Sequence, residues 1–179
     1  MQLFTLACIT DEHSHGALVD LENSPILRNS LAINAKEFHD EGITGIAQEE
    51  FILSELVVAD FVDTSSSVPL FSERAKTVLS SCGELEFHKC IVRYNTTELT
   101  FYAGKVLKHL QLIRSFPKGK MYPTYFEEIP QDFWIARDAN WPTYSIYASD
   151  KFVELCLQNK LNIIFYLIDR RTGEFATLT

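Results

Sequence analysis

Three side chains within one short segment have the residue types that could carry out acid–base chemistry. Glu84, Glu86 and His88 alternate with apolar residues, so a strand would present all three on one face. Two carboxylates beside a histidine can act as general acid and base in hydrolysis, or can support metal-assisted phosphoryl chemistry. Asp60 and Asp63 are further carboxylates that could join them. The solvent side of an edge strand has the same alternation, so we keep hydrolysis as an alternative function.

A second group of polar residues could bind a metal ion. His13 and His15 lie beside Asp11 and Glu12, and two histidines with a carboxylate form a known ligand set. All four lie in one short turn, and a His-x-His pairing is frequent by chance, so we predict no metal site. The sequence also lacks Gly-x-Ser-x-Gly, His-Glu-x-x-His and phosphate-binding glycine motifs. We therefore predict no cofactor.

The cysteines and the apolar segments indicate the compartment. The four cysteines, at positions 8, 82, 90 and 156, form no Cys-x-x-Cys motif. The N-terminal segment lacks the basic region of a signal peptide, and the run from Ile163 to Ile168 is too short to span a bilayer. We expect a soluble, cytoplasmic protein with no membrane association, whose thiols are reduced and mostly buried.

A local pattern that occurs twice indicates how the chain is organised. Ser72-Glu73-Arg74 and Ser149-Asp150-Lys151 each open a stretch of helical composition, and the two serines are 77 positions apart. A serine at the N-cap accepts a bond from a free backbone N–H and stabilises a helix by about 1 kcal/mol. Each predicted helix runs into an apolar strand, at 85–92 and at 161–168. The sequence thus predicts a strand–helix–strand unit that occurs twice, as an internal duplication would produce.

The remaining elements follow from apolar periodicity and from turn residues. Strands are predicted at 3–9, 17–21, within 53–62, and at 99–102, 133–136 and 174–178; a helix at 106–113; a helix start at 24–25; loops at 115–124 and 137–140. The result is an α+β fold, a mixed sheet with a few packed helices. We expect the 179 residues to form a single domain, 1–179, either undivided or with two lobes that meet near 115–124.

Charge is unevenly distributed along the chain. The net charge is −8, and residues 1–60 carry eleven acidic and two basic side chains, a local charge of −9. An acidic surface repels nucleic acid and attracts basic proteins. We therefore predict no nucleic-acid partner. An ordinary solvated acidic surface remains the simpler interpretation of the same residues.

Aromatic residues are dense in the second half of the chain. Such residues beside polar groups are typical of protein interfaces, although they can equally close the core between two lobes. The cluster comprises Tyr122, Tyr125, Phe126, Phe133, Trp134, Trp141, Tyr144 and Tyr147.

Short motifs around the two serines carry a family resemblance. The segments 68–76 and 141–152, with the lead-in at 129–138, resemble immunity family eleven of bacterial polymorphic toxin systems. The resemblance covers roughly residues 60–170, and the first 60 residues show no match. It brings no catalytic residues, and Ser72 and Ser149 correspond to family positions only as helix caps.

The resemblance implies a cytoplasmic protein that binds a cognate toxin and blocks it, as in interbacterial competition through type VI secretion, and that is not an enzyme. Charge and composition are compatible with a toxin that has a basic surface. The alternatives are the hydrolase considered above and a self-associating structural module, and the oligomeric state stays open. The candidate partner-binding residues are Asp40, Glu41, Glu49, Glu50, Tyr122, Tyr125, Trp134 and Trp141.

Overall fold

The computed structural model describes residues 1–8, 17–33 and 42–177. This part of the chain contains fourteen strands and four short α-helices, and the α+β prediction is confirmed. The strands are β1 Leu3–Ala7, β2 Val19–Leu21, β3 Ile43–Ala47, β4 Phe61–Val62, β5 Leu70–Phe71, β6 Leu85–Tyr94, β7 Thr97–Val106, β8 His109–Leu110, β9 Ile113–Ser115, β10 Thr124–Tyr125, β11 Ile135–Asp138, β12 Ile146–Ser149, β13 Ile164–Ile168 and β14 Phe175–Thr177. The helices are α1 Ser24–Leu27, α2 Leu53–Val58, α3 Glu73–Leu79 and α4 Asp150–Gln158; a π-helical turn, Arg28–Ala32, follows α1, and a 3-10 turn, Ser80–Cys82, follows α3.

The strands form two six-stranded sheets and a two-stranded ribbon. The first sheet has the order β2-β3-β6-β7-β5-β4, and the second sheet has the order β14-β13-β1-β12-β11-β8. The N-terminal strand β1 therefore lies inside the second sheet, between β12 and β13. The chain passes from the first sheet to the second between Val106 and His109, which is before the expected boundary at 115–124. That loop instead connects β9 to β10, the two strands of the ribbon.

The strand–helix–strand unit predicted from the two serines occurs in both sheets. In the first unit, β5–α3–β6, the strand β7 lies between β5 and β6 and is antiparallel to both. In the second unit, β12–α4–β13, the strand β1 takes the same place and is again antiparallel to its two neighbours. The outer strands of each unit are consequently parallel, and a helix provides the crossover that such strands require.

Successive residues on the strands enter different cores, because side chains alternate between the faces of a sheet. Phe71 and Phe4 enter a middle core, to which both sheets and the helices α3 and α4 contribute. Leu70, next to Phe71, enters a core on the outer face of the first sheet. Leu3, next to Phe4, enters a core on the outer face of the second sheet. Each sheet is thus covered on both faces over part of its area.

Hydrogen bonds join the two units at equivalent places. Glu84, which precedes β6, accepts the backbone N–H groups of Trp134 and Ile135 at 2.6 and 2.9 Å. Asn162, which precedes β13, donates its backbone N–H to the Asp60 carboxylate at 2.7 Å and accepts the Asp60 N–H at 3.1 Å. In each unit a residue one or two positions before the last strand therefore binds a segment that leads into a strand of the other sheet.

Residues 53–58 and 106–113 do not form the elements that the sequence predicted. Residues 53–58 form α2 and not a strand, and only Phe61–Val62 of the predicted segment is extended. Leu56 is the helical position that α2 buries, so one contact with the outer core decides this short segment. Residues 106–113 form no helix, because Leu110 pairs with Asp138 of β11 and Ile113 pairs with Tyr125 of β10.

Candidate functional site

The acid–base candidates on β6 have separate structural contacts. The carboxylate of Glu84 is held by the two backbone N–H groups of the second sheet and lies 3.7 Å from the Lys108 ammonium. Glu86 lies 3.1 Å from the His88 imidazole on the same strand face, as the alternation predicted. Among the residues that the structure describes, no three His, Cys, Asp or Glu side chains come together as a metal site. His13 and His15 lie outside those residues.

Asp60 belongs to a network that links the first sheet to the second. It is nearly fully buried and accepts hydrogen bonds from the Ser72 hydroxyl, the Arg74 guanidinium and the Asn162 backbone N–H. Burial alone would raise the pKa of Asp60, but the bonds from Arg74, Ser72 and Asn162 and the charge of Arg74 outweigh it and lower the pKa. All these partners are part of the scaffold, so Asp60 has a structural role.

Three large aromatic rings form a group at the surface beside the second sheet. Phe116 packs edge-to-face on Trp141 and on Tyr144, with ring centroids 5.2 and 5.1 Å apart. The three residues are 41, 37 and 38 % exposed, although edge-to-face packing already covers part of each ring. A rigid group of exposed aromatic rings is typical of a binding surface.

The aromatic group continues toward the ribbon and the edge strand β14. Tyr122 packs edge-to-face on Phe175, with ring centroids 5.1 Å apart. Burial and the nearby phenol of Tyr122 raise the pKa of Tyr144. We call Phe116, Tyr122, Trp141, Tyr144 and Phe175 the aromatic surface. A depression of about 370 Å³ at Tyr122 lies beside it.

Asp138 positions two segments of the aromatic surface. Its fully buried carboxylate accepts the backbone N–H groups of Asn140 and Trp141 at 2.8 and 2.9 Å. It also accepts those of Leu112 and Ile113 at 2.8 and 2.7 Å, just before the strand that leads to Phe116. Because one carboxylate holds both segments, the relative position of Trp141 and Phe116 is set before any partner binds.

Basic side chains surround the aromatic surface. Arg114, Lys118, Lys120 and Arg171 are all exposed on the segments that carry Phe116, Tyr122 and Phe175, and Glu174 is an exposed acid on the same segments. Glu49 and Glu50 are exposed in the turn that follows β3 of the first sheet.

The structure separates the eight candidate partner-binding residues. Tyr122 and Trp141 belong to the aromatic surface, whereas Trp134 is half-buried with the Lys151 ammonium 4.7 Å from its ring centroid. Tyr125 is only 3 % exposed and packs on Tyr147, so it is a core residue and is removed from the candidates. Burial raises the pKa of its phenol to about 12. Asp40 and Glu41 lie outside the described residues.

Sequence reasoning missed Phe116, Phe175 and the charged pair at 137–138. Phe116 follows Ser115 and precedes Pro117 in a loop-like segment, and an aromatic residue in such a loop was the available signal. Arg137 and Asp138 were predicted to lie in a turn, but they are the last two residues of β11 and are fully buried. Arg137 and Asp138 belong to no apolar pattern in the sequence, because polar partners that are distant along the chain stabilise both in their buried positions.

A comparison of the chain with protein-family models and with curated proteins finds no match. Within the described ranges, no helix combines the length and the apolar character that crossing a bilayer would require.

Proposed function

We propose that this chain is an immunity protein that neutralises a cognate bacterial toxin by direct contact, and that the aromatic surface is the centre of that contact. The observation that carries the proposal is the group of Phe116, Trp141 and Tyr144, three exposed rings packed on one another. Aromatic residues supply most of the binding free energy in many interfaces. The resemblance of residues 60–170 to an immunity family supports the same function.

Rigidity of the aromatic surface supports tight binding. The buried Asp138 carboxylate holds the backbone at Trp141 and at Ile113. Association then requires little ordering of these loops, which reduces the entropy lost on binding. Truncation of a central aromatic ring commonly weakens binding by about 2 kcal/mol or more, a factor of about 30 in the dissociation constant.

The net charge of −8 supports a toxin with a basic surface. Long-range attraction raises the association rate of oppositely charged proteins, and it weakens as salt is added. Glu49 and Glu50 are exposed contributors to this field, whereas the bases around the aromatic surface would meet acidic groups of the toxin locally. The two sets of residues should therefore affect different rate constants.

The test is co-expression with the toxin encoded by the neighbouring gene. The wild-type protein should restore growth, and the double variant Phe116→Ala, Trp141→Ala should lose protection with its Tm nearly unchanged. Leu157→Ala, which removes an exposed apolar side chain from α4, is the control and should protect fully. Equal killing with and without the wild-type protein would contradict the immunity function for that toxin.

Binding kinetics separate the two contributions to the contact. Trp141→Ala should mainly raise the dissociation rate, whereas the double charge reversal Glu49→Lys, Glu50→Lys should lower the association rate and flatten its salt dependence. Light scattering of the free protein measures whether it self-associates. A dimer that Trp141→Ala dissociates would assign the aromatic surface to self-pairing instead of toxin binding.

A further inference from the structure

Arg137 is a fully buried cation at the junction of the two sheets. Its two terminal amino groups donate to the carbonyl oxygens of Pro142 and Ser67, each at 2.6 Å. Ser67 lies in the connection between β4 and β5, and Pro142 lies in the connection between β11 and β12. The guanidinium therefore bridges a loop of the first sheet and a loop of the second.

No described carboxylate forms an ion pair with Arg137, and its Nε has no hydrogen-bond partner among the described residues. Burial lowers the pKa of Arg137 to about 10, so the side chain still carries its charge at neutral pH. A charge removed from water without a counter-ion is costly, and two neutral carbonyl oxygens compensate for only part of that cost. The surroundings of Arg137 therefore favour an anion.

Arg137 lines a cavity of about 150 Å³ between the loops that it bridges. Three hydroxyl-bearing residues of the β11–β12 connection, Thr143, Tyr144 and Ser145, line the same cavity and can donate hydrogen bonds. The volume is below the range of about 300–1,000 Å³ that is usual for small-molecule pockets, so a group of only a few heavy atoms fits. Asp63 also lines the cavity and has contacts of its own, but it forms no ion pair with Arg137.

We propose that this cavity binds a small oxyanion, a carboxylate or phosphate group, which the buried charge of Arg137 attracts and to which the hydroxyl groups of the β11–β12 connection donate hydrogen bonds. The attraction between a buried cation and a nearby anion is stronger in the low-dielectric interior than it would be in water. The proposal does not depend on toxin binding, and it requires the buried charge of Arg137. Because Tyr144 belongs both to the cavity and to the aromatic surface, an anion bound here would lie directly beside that surface.

The direct test observes the Nε–Hε group of Arg137 in the wild-type protein by ¹H–¹⁵N NMR. Sodium phosphate, sodium acetate and sodium chloride are titrated at pH 7 and at matched ionic strength. The Arg137 resonance should shift saturably with phosphate, with acetate or with both, and the responding salt assigns the class of oxyanion. Equal shifts in all three salts, or no shift, would overturn the proposal.

Variants locate the bound anion. Asp63→Asn removes a negative charge from the cavity lining and should tighten binding about 3- to 10-fold, since a like charge in the same lining opposes the anion. Thr143→Val removes one hydroxyl donor with little change in shape and should weaken binding several-fold. Arg137→Met should abolish binding, while the exposed Arg114→Met is the control and should leave it unchanged. If Arg137→Met does not fold, unchanged affinity in both Asp63→Asn and Thr143→Val would place the anion elsewhere and overturn the proposal.

Discussion

Asp60 and Arg137 are both almost completely buried, but their charges are compensated to different extents. Asp60 has the Arg74 guanidinium as a counter-ion and further donors in Ser72 and Asn162. Among the described residues, the hydrogen-bond partners of Arg137 are two backbone carbonyl oxygens. Removal of the paired charge of Asp60 is expected to lower the stability of the protein. Removal of the incompletely neutralised charge of Arg137 is expected to weaken ligand binding.

Replacement of Asp60 by Asn should destabilise the protein strongly. The amide keeps the shape of the carboxylate but loses the charge that compensates Arg74, and its NH₂ group faces donors. Breaking a fully buried ion pair on one side costs about 3–5 kcal/mol, and the partial exposure of Arg74 reduces the expected loss to about 2–4 kcal/mol. Urea unfolding at pH 7 measures it. Glu73→Gln, at an exposed position on α3 next to Arg74, is the control and should change stability by less than about 1 kcal/mol.

Acid should remove the contribution of Asp60 in the wild-type protein. The pKa of Asp60 is lowered in the folded state, so folding is favoured by its ionised form. The stabilisation is complete above the unfolded-state pKa of about 3.9 and is lost as pH falls through the folded-state pKa. The difference in unfolding free energy between wild type and Asp60→Asn should therefore shrink below about pH 4. A constant difference from pH 7 to pH 3 would contradict the assignment.

At the scale of single residues, the sequence predicted which residue types matter better than it predicted whether each side chain is buried or exposed. The prediction of mostly buried thiols is confirmed, since all four cysteines are buried, and burial raises the pKa of Cys82 to about 11 and of Cys90 to about 12. Tyr122 and Trp141, which were predicted as partner-binding residues, both lie on the aromatic surface, and their role in binding stays a prediction. The prediction that Tyr125 binds a partner was wrong, because a two-residue strand gives too little periodicity to show which of its faces is buried.

The repeated strand–helix–strand unit is the feature of the elements that the sequence predicted best. Both helices begin one residue after the predicted serine, and both units place an antiparallel strand between their parallel strands. The identity of that inserted strand could not be predicted, because β7 follows its unit directly while β1 comes from the opposite end of the chain. Short segments such as 53–58 were assigned incorrectly because a single tertiary contact outweighs local propensity over six residues.

The two serines have different roles despite their equivalent positions. The Ser72 hydroxyl accepts the Ala75 N–H at 3.0 Å and donates to Asp60, so it caps α3 as predicted. The Ser149 hydroxyl does not cap α4 and instead donates to the Trp134 carbonyl oxygen at 3.2 Å. The prediction that both serines are side-chain caps was therefore wrong for Ser149. The Trp134 carbonyl already accepts the Ser149 N–H, which takes the place of a cap in holding this end of α4.

Ser72→Ala should therefore destabilise the protein more than Ser149→Ala. The first change removes a helix cap and one donor to a buried carboxylate, at a cost of about 1–2 kcal/mol. The second removes one long hydrogen bond to an oxygen that keeps another donor, at a cost below about 1 kcal/mol. Chemical denaturation of the two variants gives the comparison. Equal losses would mean that the donation to Asp60 contributes nothing measurable.

At the scale of the whole molecule, the two sheets depend on each other. The middle core takes side chains from both, and Glu84 and Asn162 each bind the backbone of the opposite sheet. A chain with this arrangement is expected to unfold in one cooperative transition. The expected boundary at 115–124 therefore does not separate the sheets, since β1 and β8 both come before it and belong to the second sheet.

The position of β1 makes the N-terminal segment the decisive one for folding. Deletion of residues 1–8 removes a strand that pairs with β12 on one side and β13 on the other, and removes Phe4 and Leu6 from the middle core. Sheet hydrogen bonds on two edges are left unpaired, so we expect no cooperative thermal transition by circular dichroism. Deletion of residues 172–179 removes only the edge strand β14 and is the matched control. It should cost about 2 kcal/mol, or roughly 4–8 °C in Tm for a chain of this size. A synthetic peptide of residues 1–8 should restore the transition of the first variant, because the gap between β12 and β13 accepts one antiparallel strand. A shortened chain that melts cooperatively without the peptide would show that the second sheet closes without β1.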